Sequence, residues 1–156
     1  MLHREIIRFD GTEADYLEKF KYALLSKTER GRFPNNVEFS ESMRTRQIYL
    51  MNIKNKAYIL ERFENYGIAE DKDIYRHLDE GTYSIEHIMP QHLTPHWVSA
   101  LGDDYKNIHE TWLHLLANLT LTAYNSKYSN SPFPDKRDMD KGFRQSGLRM
   151  NGRLQK

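Results

Sequence analysis

The chain has 156 residues, 38% hydrophobic and 12% aromatic, which suits one folded domain with a helical annex and argues against disorder. It has no cysteine, so disulfides, thiolate zinc sites and cysteine nucleophiles are excluded. The net charge of +1 is unevenly placed: residues 1–126 carry 15 Lys/Arg against 19 Asp/Glu, while residues 127–156 carry 8 against 3. A basic segment on a mildly acidic body is a candidate phosphate-facing surface, or else a solvated helix face. Ten tyrosines add apolar area with polar tips, useful at a wet groove. Met1–Asp10 is charged and lacks an apolar core, and no run nears the roughly 20 apolar residues that span a bilayer. No signal peptide and no membrane segment are therefore expected, and a cytoplasmic location is.

Thr12 is positioned to cap a helix whose apolar face is Leu17, Phe20 and Leu24, ending before Gly31. Phe33-Pro34-Asn35-Asn36 predicts a turn, with a second helix from Val37 or Glu38. A third helix is expected over about Asn55–Tyr66, carrying Ile59, Leu60 and Phe63 and stopped by Gly67. These segments, residues 1–80, form the expected helical annex, with nothing in them arranged for chemistry.

The pattern changes at Gly81. Thr82–Met89 alternates like a strand and stops at Pro90. A polar, Trp-containing connection follows, then a helix over about Lys106–Leu116, a short strand Asn118–Thr122, a turn or helix start at Tyr124–Ser126, and a helical stretch after Pro134.

Five of the seven histidines lie between residues 87 and 114: His87, His92, His96, His109 and His114. Their spacings are not those of a closed zinc site. His92, His96 and His109 read as surface or capping residues, and His114 as a helix-surface residue within possible reach of the site. His87 differs because Glu86 precedes it at a strand end and Asn118 and Asn125 follow downstream.

These residues carry a resemblance. Glu-His-Ile-Met-Pro-Gln (86–91), Trp97, Leu-Gly (101–102), Asn-Leu-Thr-Leu-Thr (118–122), Tyr-Asn-Ser (124–126), Ser-Asn (129–130), Pro-Phe (132–133) and Lys136 together resemble the C-terminal HNH nuclease domain of the GmrSD-type restriction endonucleases. Arg-Phe-Pro-Asn-Asn (32–36) and the stretch Tyr58–Tyr66 resemble the segment preceding that domain, so the likeness covers most of the chain. Ala117 stands where the family pattern usually has glycine.

The resemblance implies an α+β fold: a ββα-metal (HNH) nuclease core over residues 81–145, behind the annex of residues 1–80 and followed by a basic tail, 146–156. It implies that His87 is the general base, that Asn118 fixes its orientation, and that Glu86 and Asn125 hold one divalent cation, Mg²⁺ or Mn²⁺, with Asn130 as the rival ligand to Asn125. The ordinary histidine pKa near 6.5 suits a base at neutral pH. Adjacent strand residues face opposite sides, so a shared Glu86–His87 site requires a distorted strand end beside Pro90. Lys136, Arg137, Lys141 and Arg144 are expected to contact the DNA backbone without reading bases.

The implied function is metal-dependent cleavage of modified foreign DNA in a restriction or phage-defence system. The implied partners are DNA and a separate N-terminal nucleotide-hydrolysing domain of a longer protein, since this chain has no P-loop signature. Two other readings stay open: a catalytically silent nucleic-acid-binding or interaction module with the same fold, and an RNA substrate.

Overall fold

A computed structural model describes residues 11–28 and 32–156. The expectations placed on Met1–Asp10 and Gly31 lie outside them. The chain divides into two compact units, Met1–Met43 and Arg44–Lys156.

In the first unit, helix α1 spans Glu13–Leu25 and follows Thr12 in extended conformation. The Thr12 hydroxyl donates to the Asp15 carboxylate at 2.8 Å rather than accepting from the helix backbone. The Phe33–Asn36 turn ends one residue earlier than expected, because Asn35 and Glu38 cap each other. Glu38 N donates to Asn35 Oδ1 at 2.9 Å and Asn35 N donates to the Glu38 carboxylate at 3.0 Å, a reciprocal capping box. Helix α2 then runs Asn36–Thr45.

In the second unit, α3 spans Ile53–Glu64, started by the Asn52 side chain accepting from Asn55 N, and α4 spans Ile74–Asp79, started likewise by Asp73. Strand β1, Ser84–His87, is followed by α5, Pro95–Leu101, and α6, Tyr105–Trp112. Strand β2, Leu119–Thr122, leads into α7, Asn125–Tyr128, and α8, Phe133–Asp138. Short 3₁₀ turns at Ile48–Leu50, Leu116–Asn118, Phe143–Gln145 and Arg149–Arg153 complete the order. The described chain is mostly helical, with one small antiparallel sheet pairing Ser84 with Thr122 and His87 with Leu119.

At the His87–Leu119 end both strands stop sooner than the alternation predicts, for one reason. Asn118 leaves the ladder in a 3₁₀ turn, and its side chain, not a strand partner, accepts the hydrogen bond of Met89 N. α4 and α5 are too short to show a helical period; α5 buries only Trp97, whose indole donates to Ser131 O at 3.0 Å. The helix expected to Leu116 stops at Trp112.

The two faces of the β-ribbon differ. Ile85 and Leu121 pack with Leu60 of α3, Ile74 of α4 and Leu148 in the main apolar cluster. The opposite face carries Glu86, Thr120 and Thr122, all buried although polar. Such groups cost stability unless hydrogen-bonded. Thr120 bonds Asn151, whose amide also donates to Leu121 O at 3.0 Å. Glu86 is answered by Lys136. Residues 146–156, basic in composition, thus supply Leu148 and Asn151 to the interior. Among the described residues no helix is long and apolar enough to cross a membrane.

Candidate active site

The end of β1, the turn after it and the start of α7 border a cleft of about 250 Å³. Glu86, His87, Asn125 and Asn130 all line it, as do Tyr49 and His92. Residues from three separate segments meet there, and the adjacent pair Glu86–His87 reaches it together because the cleft lies across the strand end.

His87 is 5% exposed. Its ring meets the Tyr49 ring edge-on at 4.2 Å between centroids and lies 5.6 Å from the His114 ring. Nδ1 is 3.5 Å from the Gln91 amide nitrogen, and Nε2 is buried with no hydrogen-bond partner among the described residues. Burial is the main force lowering its pKa to about 4, and the positive charge that His114, Lys136, His109 and Lys56 carry or can carry adds to it. The ordinary value near 6.5 expected from sequence is therefore corrected downward, because the ring sits among apolar and cationic neighbours. At neutral pH His87 is the unprotonated imidazole.

Asn118 reaches the segment that follows His87 through a closed set of bonds. Its Oδ1 accepts from Met89 N at 2.7 Å, and its amide donates to Met89 O at 2.9 Å and Leu113 O at 3.0 Å. Its backbone oxygen accepts from Ile88 N at 2.9 Å. One buried side chain thereby clamps the backbone two residues past His87. His109 adds a bond from Nε2 to Pro90 O at 3.0 Å.

Glu86 is 4% exposed, and burial raises its carboxyl above the ordinary value while Lys136 opposes that shift. Lys136, expected on the DNA-facing surface, is instead fully buried. Its ammonium donates to Glu86 Oε1 at 2.6 Å, His87 O at 2.9 Å and Ile88 O at 3.3 Å. α8 delivers this residue, so α8 neutralises the buried carboxylate of β1.

The other expected DNA-facing cations are at the surface but partly engaged. Arg137 and Arg144 share the Asp138 carboxylate, at 2.7 and 3.2 Å, and Lys141 lies over the Tyr124 ring at 5.2 Å. The Asn125 and Asn130 amides make no hydrogen bond among the described residues, which leaves their oxygens available to a cation. Among those residues no three His, Asp or Glu side chains converge as a metal cage. One carboxylate with one or two amide oxygens is an open, hard donor set that suits Mg²⁺ or Mn²⁺ with other ligands completing the shell.

Tyr49 has no signal in the sequence, lying on a 3₁₀ turn far upstream of His87. It joins three elements: its ring stacks on His114 at 5.5 Å, its N–H donates to His114 O at 3.1 Å, and its carbonyl accepts from Lys56 at 2.9 Å. His114, read as a helix-surface residue, also packs edge-on against the His87 ring, with its centroid 5.6 Å from that of His87.

The fold and cleft thus define a mostly helical α+β domain with a buried imidazole and a carboxylate at the end of a two-stranded sheet. Residues 33–156 match the family model described as GmrSD restriction endonucleases, C-terminal domain, and the chain belongs to that family. Comparison with curated proteins and with solved structures gives no match.

Proposed function

We propose that this chain is the metal-dependent DNA-cutting module of a restriction enzyme, built on a ββα-metal (HNH) core of β1, β2 and the helices after them. One observation carries the reading: Glu86, His87, Asn125 and Asn130 border a single cleft, and the neutral, buried imidazole keeps a ring nitrogen without a partner among the described residues. His87 accepts the proton of a water molecule as the water oxygen bonds to phosphorus and the bond from phosphorus to the 3′ oxygen breaks. Asn118 fixes the backbone that presents His87. Glu86 and Asn125, with Asn130 as the rival, hold one Mg²⁺ or Mn²⁺, which when bound neutralises charge on the phosphate and the departing oxygen. Membership of a restriction-endonuclease family, as its C-terminal domain, supports DNA as substrate and an N-terminal domain as partner; that this partner hydrolyses nucleotides is part of the proposal.

A second reading draws on the Lys136 ammonium, which holds Glu86 Oε1 at 2.6 Å, where a metal ion would compete. On that reading the chain binds DNA without cutting it. Plasmid nicking with Mg²⁺ or Mn²⁺ and with EDTA, for wild type and His87→Ala, separates the two. Metal-dependent nicking that falls by about 10²–10⁴ in His87→Ala supports the nuclease. Equal nicking by both proteins removes His87 from the chemistry. No nicking by wild type, alone or joined to its partner domain, with DNA binding retained, favours the silent module.

A further inference from the structure

A second cleft, of about 340 Å³, lies on the other side of the β2–α7 turn. Thr122, Ala123 and Tyr124 line it, while the very next residue, Asn125, lines the His87 cleft. Clefts lined by consecutive residues of one turn adjoin each other.

The lining of this cleft has a definite chemistry. It includes three tyrosines, Tyr83, Tyr124 and Tyr128, and two lysines, Lys72 and Lys141, with no aspartate or glutamate. Lys72 is engaged, donating to Glu64 at 2.6 Å and Gly147 O at 2.9 Å. Lys141 makes no ion pair among the described residues; its ammonium sits 5.2 Å from the centroid of the Tyr124 ring. This placement is built. Lys141 adopts φ 63°, a left-handed conformation unusual for a lysine. The Tyr128 hydroxyl donating to its carbonyl at 3.0 Å and its own N–H donating to Gln145 Oε1 at 3.0 Å hold it there. Two side chains thus fix a strained residue so that a cation lies over a half-open aromatic ring. A ring face beside an ammonium matches a planar base joined to a phosphate. A base within a duplex is stacked on both faces and cannot reach such a ring; an unpaired one can.

We propose that this cleft binds one unpaired nucleotide of the DNA strand beside the bond that is cut, with its base on Tyr124 and its phosphate on Lys141. The proposal rests on the nuclease reading for its place along the strand but not for its ligand.

The test is anisotropy in EDTA, where no cleavage occurs, with fluorescein-labelled duplexes that are fully paired or carry one unpaired internal nucleotide. Wild type binds the unpaired probe about tenfold tighter, and Tyr124→Ala loses that preference while Tyr124→Phe keeps it. Lys141→Gln weakens both probes and lowers the salt slope by about one. A probe with 2-aminopurine at the unpaired position loses emission on binding wild type, which reports stacking without any variant. Equal affinity of wild type for both probes, unchanged preference in folded Tyr124→Ala, or unchanged 2-aminopurine emission each overturns the proposal. His87→Ala retains the preference, and no nicking by wild type, alone or joined to its partner domain, with that preference intact discards the nuclease reading alone. Nicking with no preference discards this cleft alone.

Discussion

Lys136 on α8 donates to Glu86 of β1 at 2.6 Å, and both side chains are almost wholly shielded from water. A buried carboxylate and a buried ammonium each cost several kcal/mol to desolvate, and each is tolerable here only because of the other. Removing one leaves a stranded charge. Lys136→Met is expected to lower unfolding stability by about 3–5 kcal/mol, read as the shift in a urea melt. The double variant Lys136→Met, Glu86→Gln recovers much of that loss. If the single and double variants lose stability equally, the pair is not what holds α8 to the strand.

His87 is expected to titrate near pH 4 instead of near 6.5, and NMR of its ring protons checks this directly. The sign of the stability effect follows. Between about pH 6.5 and 4 the unfolded chain takes up a proton that folded His87 refuses, so stability falls as pH drops through this window. Above it this group is neutral in both states and contributes nothing. Replacing His87 with Phe flattens the decline; a ring titrating at 6.5 or above contradicts the buried, cation-flanked environment.

Asn118→Ala removes three hydrogen bonds at once, two to Met89 and one to Leu113. Buried backbone groups are left unpaired, at about 1–3 kcal/mol for such a group. The expected result is lower stability together with slower DNA nicking, because the backbone after His87 loses its clamp. Nicking at the wild-type rate in a folded Asn118→Ala protein would show that the clamp is structural only.

Divalent cation binding provides a readout that does not depend on cleavage. Mn²⁺ titration followed by electron paramagnetic resonance is expected to show one site in wild type, weakened in both Glu86→Gln and Asn125→Ala. If Asn130→Ala weakens it and Asn125→Ala does not, the rival amide is the ligand. Binding unaffected by Glu86→Gln places the ion elsewhere.

Gly142 controls how α8 ends. A Cβ there would lie 2.6 Å from Lys136 O, 2.7 Å from Arg137 O and 2.8 Å from Met139 O, and backbone oxygens cannot swing away as side chains do. Gly142→Ala is expected to cost about 1–3 kcal/mol in a urea melt, by displacing the turn of α8 that bears Lys136. An unchanged melt means that the helix end shifts freely.

The local order of elements was readable because it depends on local forces. The alternation of Ser84–His87 and Leu119–Thr122 and the existence of α3 need only neighbours in sequence, although α3 ends at Glu64, capped by Asn65, and not at Gly67. Short helices such as α4 and α5 were not readable, since six or seven residues give no period. The grouping of Glu86, His87 and Asn125 at one cleft was also anticipated, from the family resemblance. Tyr49 and the inward role of Lys136 were not: contacts over such sequence separations leave no local mark. Nothing in Lys-Arg at 136–137 distinguishes the buried cation from its neighbour, which remains at the surface with Asp138.

The sequence by itself determined the family, the strand pair and the residue types available for chemistry. The absence of cysteine alone excluded thiolate donors from any metal site. Tertiary structure decided the protonation state of His87 and the partner of Glu86. Both depend on how much water is excluded and which charges come close, and those quantities exist only once α8, Tyr49 and His114 have packed around the end of β1.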